Sequence, residues 1–138
     1  MAGIGRTRAS IRFFGDELDP AEISGLLGAE PTHSGRKGEV APSGHVLKRG
    51  SWRLAVSERA PGDLDGQIKS LFADLTNDLS IWRDLSERYD ADVFCGLFMD
   101  FFNEGAPISR TVLQLLSERG LRLDVDIYAP SEQNQPLH

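Results

Sequence analysis

Residues 10–28, SIRFFGDELDPAEISGLLG, decide the fold, because they predict a strand that leads through a short acidic turn into a capped helix. Side chains alternate along a strand, so Ile11 and Phe13 are expected on one face of the sheet and Arg12 and Phe14 on the other. Gly15 then ends the strand. This is the strongest local signal in the chain. No set of catalytic residues and no phosphate-binding loop accompanies it.

The helix after this strand carries signals at both of its ends. Asp19 is well placed as an N-cap, and Pro20 occupies the first helical position, where its missing N–H costs nothing. Gly28 is the expected C-terminal stop. Asp16 and Glu17 are therefore interpreted as turn residues, in preference to a catalytic use of their carboxylates.

The rest of the chain continues the alternation of strands and helices. The pattern predicts, in order, an irregular loop over 29–44, a turn over 48–51, a strand over 52–56 and a helix from Asp63. A shorter continuation capped by Ser80, or a kinked extension of the same helix, is expected next, followed by a strand over 91–102, a helix after Ser109 and a strand over 121–128. In the last strand, Leu121, Leu123, Val125 and Ile127 are expected to face inward. Both faces of the strand over 91–102 are apolar, which places it centrally in the sheet.

These elements predict an α+β fold, a two-layer sandwich with about four strands and helices on one face. A ferredoxin-like or related arrangement is expected, while the strand order stays open. At 138 residues the chain is predicted to be a single domain over 1–138, with flexible ends at about 1–7 and 130–138.

Charge and composition exclude several classes of function. The net charge of −6 and the pI near 5.0 argue against nucleic acid as a partner, because affinity for nucleic acid depends on neutralising phosphates. No run approaches the roughly 18 apolar residues of a membrane span. Cys95 is the single cysteine, so no intrachain disulfide is possible and a cytoplasmic location is expected.

A basic loop offers a candidate ligand site. Cations and hydroxyl groups are interleaved with glycine over 32–51, a composition that suits a phosphate or a carboxylate. The candidate ligand-binding residues are Asp16, Thr32, Arg36, Lys37, Arg49 and Trp52. A solvated loop is the alternative, since GRKG lacks the spacing of a phosphate-binding loop.

The last strand offers a candidate surface for a protein partner. Asp124, Asp126 and Tyr128 alternate on its outward side, and side-by-side carboxylates suit a shallow polar groove or a basic partner. The alternative is an ordinary solvated face of the sheet.

Metal binding and covalent catalysis are not expected. His33 and His45 are the internal histidines, and nothing in their spacing requires a convergent ligand set. Cys95 lies in an apolar run, and the serines lie in turns and caps, without a base positioned beside them. We therefore expect no metal, no cofactor and no catalytic residue.

A longer signature resembles a known family. It comprises F-G-D-x-L-D-P-x-x-I-x-x-L-L-G-x-x-P-T over 14–32, the loop Gly35-Arg36-Lys37-Gly38, Gly50-Ser51-Trp52 at the start of a strand, and a closing Gly-Leu-x-Leu-x-x-x-Ile-Tyr over 120–128. This pattern resembles an uncharacterised bacterial family catalogued as a domain of unknown function, number 4279. The resemblance implies no established activity and no site residues. Some small α+β families of this kind accompany bacterial toxin loci as immunity proteins.

The leading hypothesis is a non-enzymatic binding or regulatory protein, holding either a partner protein or a small ligand where the basic loop meets the sheet. Immunity-type inhibition of a toxin is one version. The alternative is a small enzyme or anion-binding regulator that uses Asp16, Arg36, Lys37 and Trp52 around a pocket. Homodimerisation through an exposed strand edge or a helix face is a further hypothesis.

Overall fold

Strands and helices alternate in the structure, a computed structural model that describes residues 2–131. The elements are β1 (Ala2–Gly3), β2 (Arg6–Gly15), α1 (Pro20–Leu27), β3 (His33–Gly35), β4 (Gly50–Ala55), α2 (Leu64–Ala73), α3 (Leu79–Arg88), β5 (Asp90–Phe98), β6 (Glu104–Gly105), α4 (Arg110–Glu118) and β7 (Arg122–Tyr128). The predicted flexible start, 1–7, includes β1 and the first residues of β2. Most of the predicted flexible end, 132–138, lies outside the described residues.

The main sheet has five strands in the order β3-β4-β2-β5-β7. The α+β prediction is confirmed, and the sheet is one strand larger than the four expected. Only the β5–β7 pair within this sheet is parallel. Because β2 and β3 are both antiparallel to β4, they run in the same direction, so β2-α1-β3 and β5-α4-β7 are two strand–helix–strand units. A separate parallel pair joins β1 to β6.

Strand β3 lies inside the stretch predicted to be an irregular loop. Its three residues, HSG, are too short and polar to show alternation, and backbone pairing with the edge of β4 makes them a strand. The backbone N–H of Thr32 extends this pairing, donating to the Arg53 carbonyl at 2.7 Å. Tertiary pairing therefore adds the fifth strand.

The two caps of α1 form as predicted. The Asp19 side chain accepts a hydrogen bond from the Ala21 N–H at 3.0 Å, and Gly28 ends the helix with φ of 83°. A residue with a Cβ is strained at that φ, which explains the glycine. The turn and helix thus bring the chain back across the sheet.

The predicted helix from Asp63 is interrupted, giving α2 and α3. The cap of α3 is Asp78 rather than Ser80, because the Asp78 carboxylate accepts from the Ser80 N–H at 3.0 Å and from its hydroxyl at 2.6 Å. The Trp82 indole N–H also donates to the Thr76 carbonyl at 2.8 Å, which fixes the segment between the helices.

The hydrophobic core lies between the helices and one face of the sheet. Alternate strand residues are fully buried there, among them Ile11, Phe13, Trp52, Val93 and Cys95. The Phe13 and Trp52 rings meet edge to face at 5.8 Å between centroids. Since this face takes the large apolar side chains, the polar residues of the same strands occupy the opposite face.

The end of β7 departs from the predicted inward pattern. Leu121 is buried, but Val125 and Ile127 are 44% and 63% exposed. Both lie on the helix side of the sheet, since Val125 is in register with buried Cys95. β7 is an edge strand, and the helix layer covers only its beginning, so these two side chains remain in contact with solvent.

The thiol of Cys95 is expected to be unreactive in the folded protein. Burial, with a smaller contribution from the charge of Asp92, raises its pKa to about 12, so little thiolate exists at pH 8. A disulfide-exchange reagent should react with the thiol only after unfolding in guanidinium chloride. Cys95→Ser should give no signal in either state, and equal rates for folded and unfolded protein would contradict the expectation.

Candidate functional site

The face of the sheet that carries no helices is rich in charge. On β2 its residues are Arg6, Arg8, Ser10, Arg12 and Phe14, which alternate with the residues that face the helices. The strand register then aligns one row across all five strands: His33, Arg53, Arg12, Asp92 and Arg122. We call this side the uncovered face.

The centre of the uncovered face is an ion pair between Arg12 and Asp92. The guanidinium donates from Nε to Oδ1 at 2.8 Å and from Nη2 to Oδ2 at 2.6 Å, a bidentate arrangement. The Asp92 side chain is only 3% exposed and that of Arg12 is 21% exposed. Arg12 also lies 4.1 Å from the centre of the Phe94 ring. The neighbouring strands β2 and β5 are thus locked together by side chains as well as by backbone.

Two further carboxylates join this pair through Arg122. Arg122 donates from Nη2 to Asp124 at 3.0 Å, and it lies 3.4 Å from Asp90 and 3.5 Å from Asp92. Burial raises the pKa of Asp92, whereas hydrogen bonds with Asp92 and Arg122 lower the pKa of Asp124. The two neighbouring carboxylates therefore differ in their affinity for a proton, which is higher for Asp92 than for Asp124.

An open pocket of about 330 Å³ lies at one end of the uncovered face, beside this ion-pair network. Its lining comes from four strands of the sheet, β2, β4, β5 and β7, and from the chain before β4: Arg12, Phe14, Leu47, Lys48, Arg49, Ser51, Asp90, Asp92 and Arg122. The lining thus combines four basic side chains, two acidic ones, a hydroxyl and two apolar walls.

The chain before β4 forms a hairpin over residues 36–49, which we call the arm. Its two sides are joined by backbone hydrogen bonds from Gly38 to Leu47 at 2.9 Å and from Leu47 to Glu39 at 2.8 Å. The base of the arm is tied to the turn after β2 by the ion pairs Arg36–Asp19 at 2.8 Å and Lys37–Asp16 at 3.2 Å. This docking places the last residues of the arm over the end of β2.

The predicted ligand residues are mostly outside the pocket. Three of them, Asp16, Arg36 and Lys37, form the ion pairs that dock the arm, so their role is to hold the arm in place. Of the six residues, all within the described chain, only Arg49 lines the pocket.

The other two predicted ligand residues have structural roles. The Thr32 hydroxyl accepts from the Ala55 N–H at 2.9 Å. Trp52 is fully buried on the helix side, where its indole N–H donates to Ser24 at 3.0 Å. Side chains alternate along β4, so Ser51 faces the pocket and the next residue, Trp52, faces the core instead of the predicted ligand site.

The three residues predicted to bind a partner do share the uncovered face of β7. Their polar groups are already engaged: Asp124 accepts from Arg122, and Asp126 accepts from the Tyr128 hydroxyl at 2.8 Å. The Tyr128 ring stacks on Phe98 with 4.5 Å between centroids. The acidic row is therefore largely satisfied within the molecule.

Several pocket residues were not predicted, chiefly Arg12, Phe14, Asp90, Asp92 and Arg122. A usable signal exists in the sequence, because Arg12, Asp92 and Arg122 are charges of alternating sign at outward positions of three strands. Only the strand order β2-β5-β7 makes them neighbours, and the sequence left that order open.

Comparison with known proteins identifies the family of the chain. The family described as a domain of unknown function, DUF4279, matches residues 5–130. The chain belongs to the DUF4279 family. No curated protein and no solved structure matches it. The matched residues of this DUF4279 chain include every strand of the main sheet, the arm and all residues that line the pocket.

Two further features of the DUF4279 structure bear on the class of site. Over residues 2–131, no group of three or more His, Cys, Asp or Glu side chains is placed to hold a metal ion. None of the described helices is long and apolar enough to cross a membrane. Six of the nine residues that line the pocket beside Arg12 and Asp92 carry a charged side chain.

Removal of the Asp92 carboxylate should destabilise the fold markedly. Asp92→Ala leaves Arg12 half-enclosed without its bidentate partner, and we expect a loss of about 2 to 4 kcal/mol in the free energy of unfolding, measured in urea. Glu58→Ala is the control, because it removes an exposed pair with Arg8 at 2.7 Å and should cost less than about 1 kcal/mol. Equal, small losses in the two variants would contradict a central role for the pair.

Proposed function

We propose that this protein is a non-enzymatic binding module that captures a small anionic ligand in the pocket where the arm meets the uncovered face. The observation that carries the proposal is a lining of four basic and two acidic side chains in a protein of net charge −6. A positive concave site on an acidic protein concentrates anions locally. A cytoplasmic setting belongs to the same proposal and is supported by the reduced, buried Cys95.

The basic residues of the pocket differ in their availability to a ligand. Arg12 is engaged by Asp92, and Arg122 by Asp124. Among the described residues, the Lys48 side chain has no ion pair or hydrogen bond. Arg49 has one ion pair, with Asp90 at 3.5 Å, which is too long for a good hydrogen bond. Lys48 and Arg49 are therefore the cations available for an anion.

The polar groups in the pocket do not favour catalysis. Both oxygens of Asp92 are held by Arg12 at 2.6 to 2.8 Å, so neither is available to move a proton to or from a substrate. Ser51 lines the pocket, but among the described residues no base hydrogen-bonds its hydroxyl to activate it. These contacts support binding over bond making and breaking.

A protein partner is the less supported function, including a toxin held by an immunity-type inhibitor. The carboxylates of Asp124 and Asp126 were expected to attract a basic partner, but Asp124 is paired with Arg122 and Asp126 accepts a hydrogen bond from the Tyr128 hydroxyl. An engaged charge contributes less to steering a partner. The pocket, by contrast, has Lys48 without a partner among the described residues and Arg49 with a single long ion pair.

Anions should stabilise the native protein. With a Kd of about 1 mM, 10 mM sodium phosphate should add about 1.4 kcal/mol, or a rise of roughly 3 to 6 °C in melting temperature, relative to sodium chloride of equal ionic strength. Lys48→Ala with Arg49→Ala should abolish this rise, because it removes the available cations of the pocket.

The matched control is Arg59→Ala with Lys69→Ala, which also removes one arginine and one lysine, but from local ion pairs with Asp63 and Asp65 that neither line the pocket nor dock the arm. This variant should keep most of the rise in melting temperature, although its basal stability can fall. Loss of the rise in the control alone, or no rise in the native protein, would contradict the proposed site.

A further inference from the structure

The pocket has an apolar side that inorganic anions would leave unused. Phe14 lies on its floor, with the guanidinium carbons of Arg12 and Arg49 at 5.2 and 5.0 Å from its ring centre. Leu47, from the arm, is the second apolar side chain of the lining. Apolar surface beside cations suits a ligand with one charged end and one hydrophobic end.

The size of the pocket also exceeds that of a bare anion. A volume of about 330 Å³ is at the lower end of the range for small-molecule sites, which is about 300 to 1,000 Å³. An inorganic phosphate or an acetate held by Lys48 and Arg49 would fill only part of it. The remaining space lies along Phe14 and Leu47, so a bound ligand gains from an apolar body there.

The acidic residues of the pocket are not free to accept a positively charged group. Asp92 is fully occupied by Arg12. Asp90 lies between two guanidinium groups, 3.5 Å from Arg49 and 3.4 Å from Arg122. A ligand ammonium at Asp90 would face like charge on both sides, which disfavours amino acids and other zwitterions.

The uncovered face is also unsuited to stacking nucleobases. The Phe94 ring is covered by Arg12 at 4.1 Å, and the Phe98 ring lies between Arg6 at 4.2 Å and Tyr128 at 4.5 Å. Proteins that bind single-stranded nucleic acid on a sheet present free aromatic faces to the bases. Here the protein's own side chains occupy those faces.

We propose that the ligand is an organic acid: a carboxylate or phosphate head bound by Lys48 and Arg49, joined to an uncharged apolar body that packs on Phe14 and Leu47. The inference rests on the proposed function and specifies its ligand class. Arg49 can hold either head with its planar fork, and the Ser51 hydroxyl supplies a further donor at the pocket wall.

Titration calorimetry with five probes tests the class of ligand: benzoate, phenyl phosphate, acetate, inorganic phosphate and L-phenylalanine. Benzoate should bind at least about tenfold more tightly than acetate, or phenyl phosphate than phosphate, because even one methylene-sized apolar contact in a pocket is worth about that factor. The stronger of the two pairs identifies the head. L-Phenylalanine should show no binding.

The outcomes separate this inference from the proposed function. If the bare anions bind as tightly as the aromatic acids, the anion site stands and the apolar requirement is wrong. If L-phenylalanine binds as tightly as benzoate, the exclusion of zwitterions is wrong. If none of the five probes binds, both the site and its ligand class are overturned.

Variants of the apolar wall provide a second test. Leu47→Ala should weaken benzoate or phenyl phosphate by about tenfold while leaving acetate and phosphate unchanged, again by the value of one apolar contact. Val46→Ala is the control, because Val46 is 53% exposed and does not line the pocket. Phe14→Leu should weaken the aromatic acids in the same selective way, and equal losses for bare and aromatic acids would overturn the assigned wall.

Discussion

The bidentate pair of Arg12 and Asp92 is the interaction on which the uncovered face depends. A nearly buried carboxylate is tolerated only when it is paired and hydrogen-bonded, and Arg12 meets both requirements from the neighbouring strand. The pair also orders its surroundings, because Arg12 lies against Phe94 and Asp92 extends the network to Arg122. The pocket is built on the edge of this fixed network.

The two faces of the sheet differ in composition and in role. The helix side holds the large apolar side chains and supplies most of the stabilisation, while the uncovered face concentrates arginine and carboxylate groups. Carboxylates on this face form ion pairs with arginines of the sheet. Lys48 and Arg49 of the arm therefore have few partners of their own. A local positive site thereby arises within an acidic protein.

Much of the fold followed from local patterns, and the reasons are visible in particular residues. Asp19, Pro20 and Gly28 specify α1, since caps act within a few residues of chain. Strand β3 was missed, and the cap of α3 was expected at Ser80 instead of Asp78, because pairing with β4 and a short polar segment leave little trace in periodicity. For the site, the predicted basic loop contains the arm, but Arg36 and Lys37 hold the arm in place, and Arg49 is the one predicted ligand residue that lines the pocket.

The sequence by itself determined the α+β class, the alternating faces of β2 and β7, and the burial of Cys95, because these depend on spacing along one segment. Only the tertiary structure decided which outward residues meet. Arg12, Asp92 and Arg122 are separated by 80 and 30 residues, and the register of β2, β5 and β7 makes them one row. Register and strand order are set by packing across the whole sheet, so no local pattern specifies the pocket.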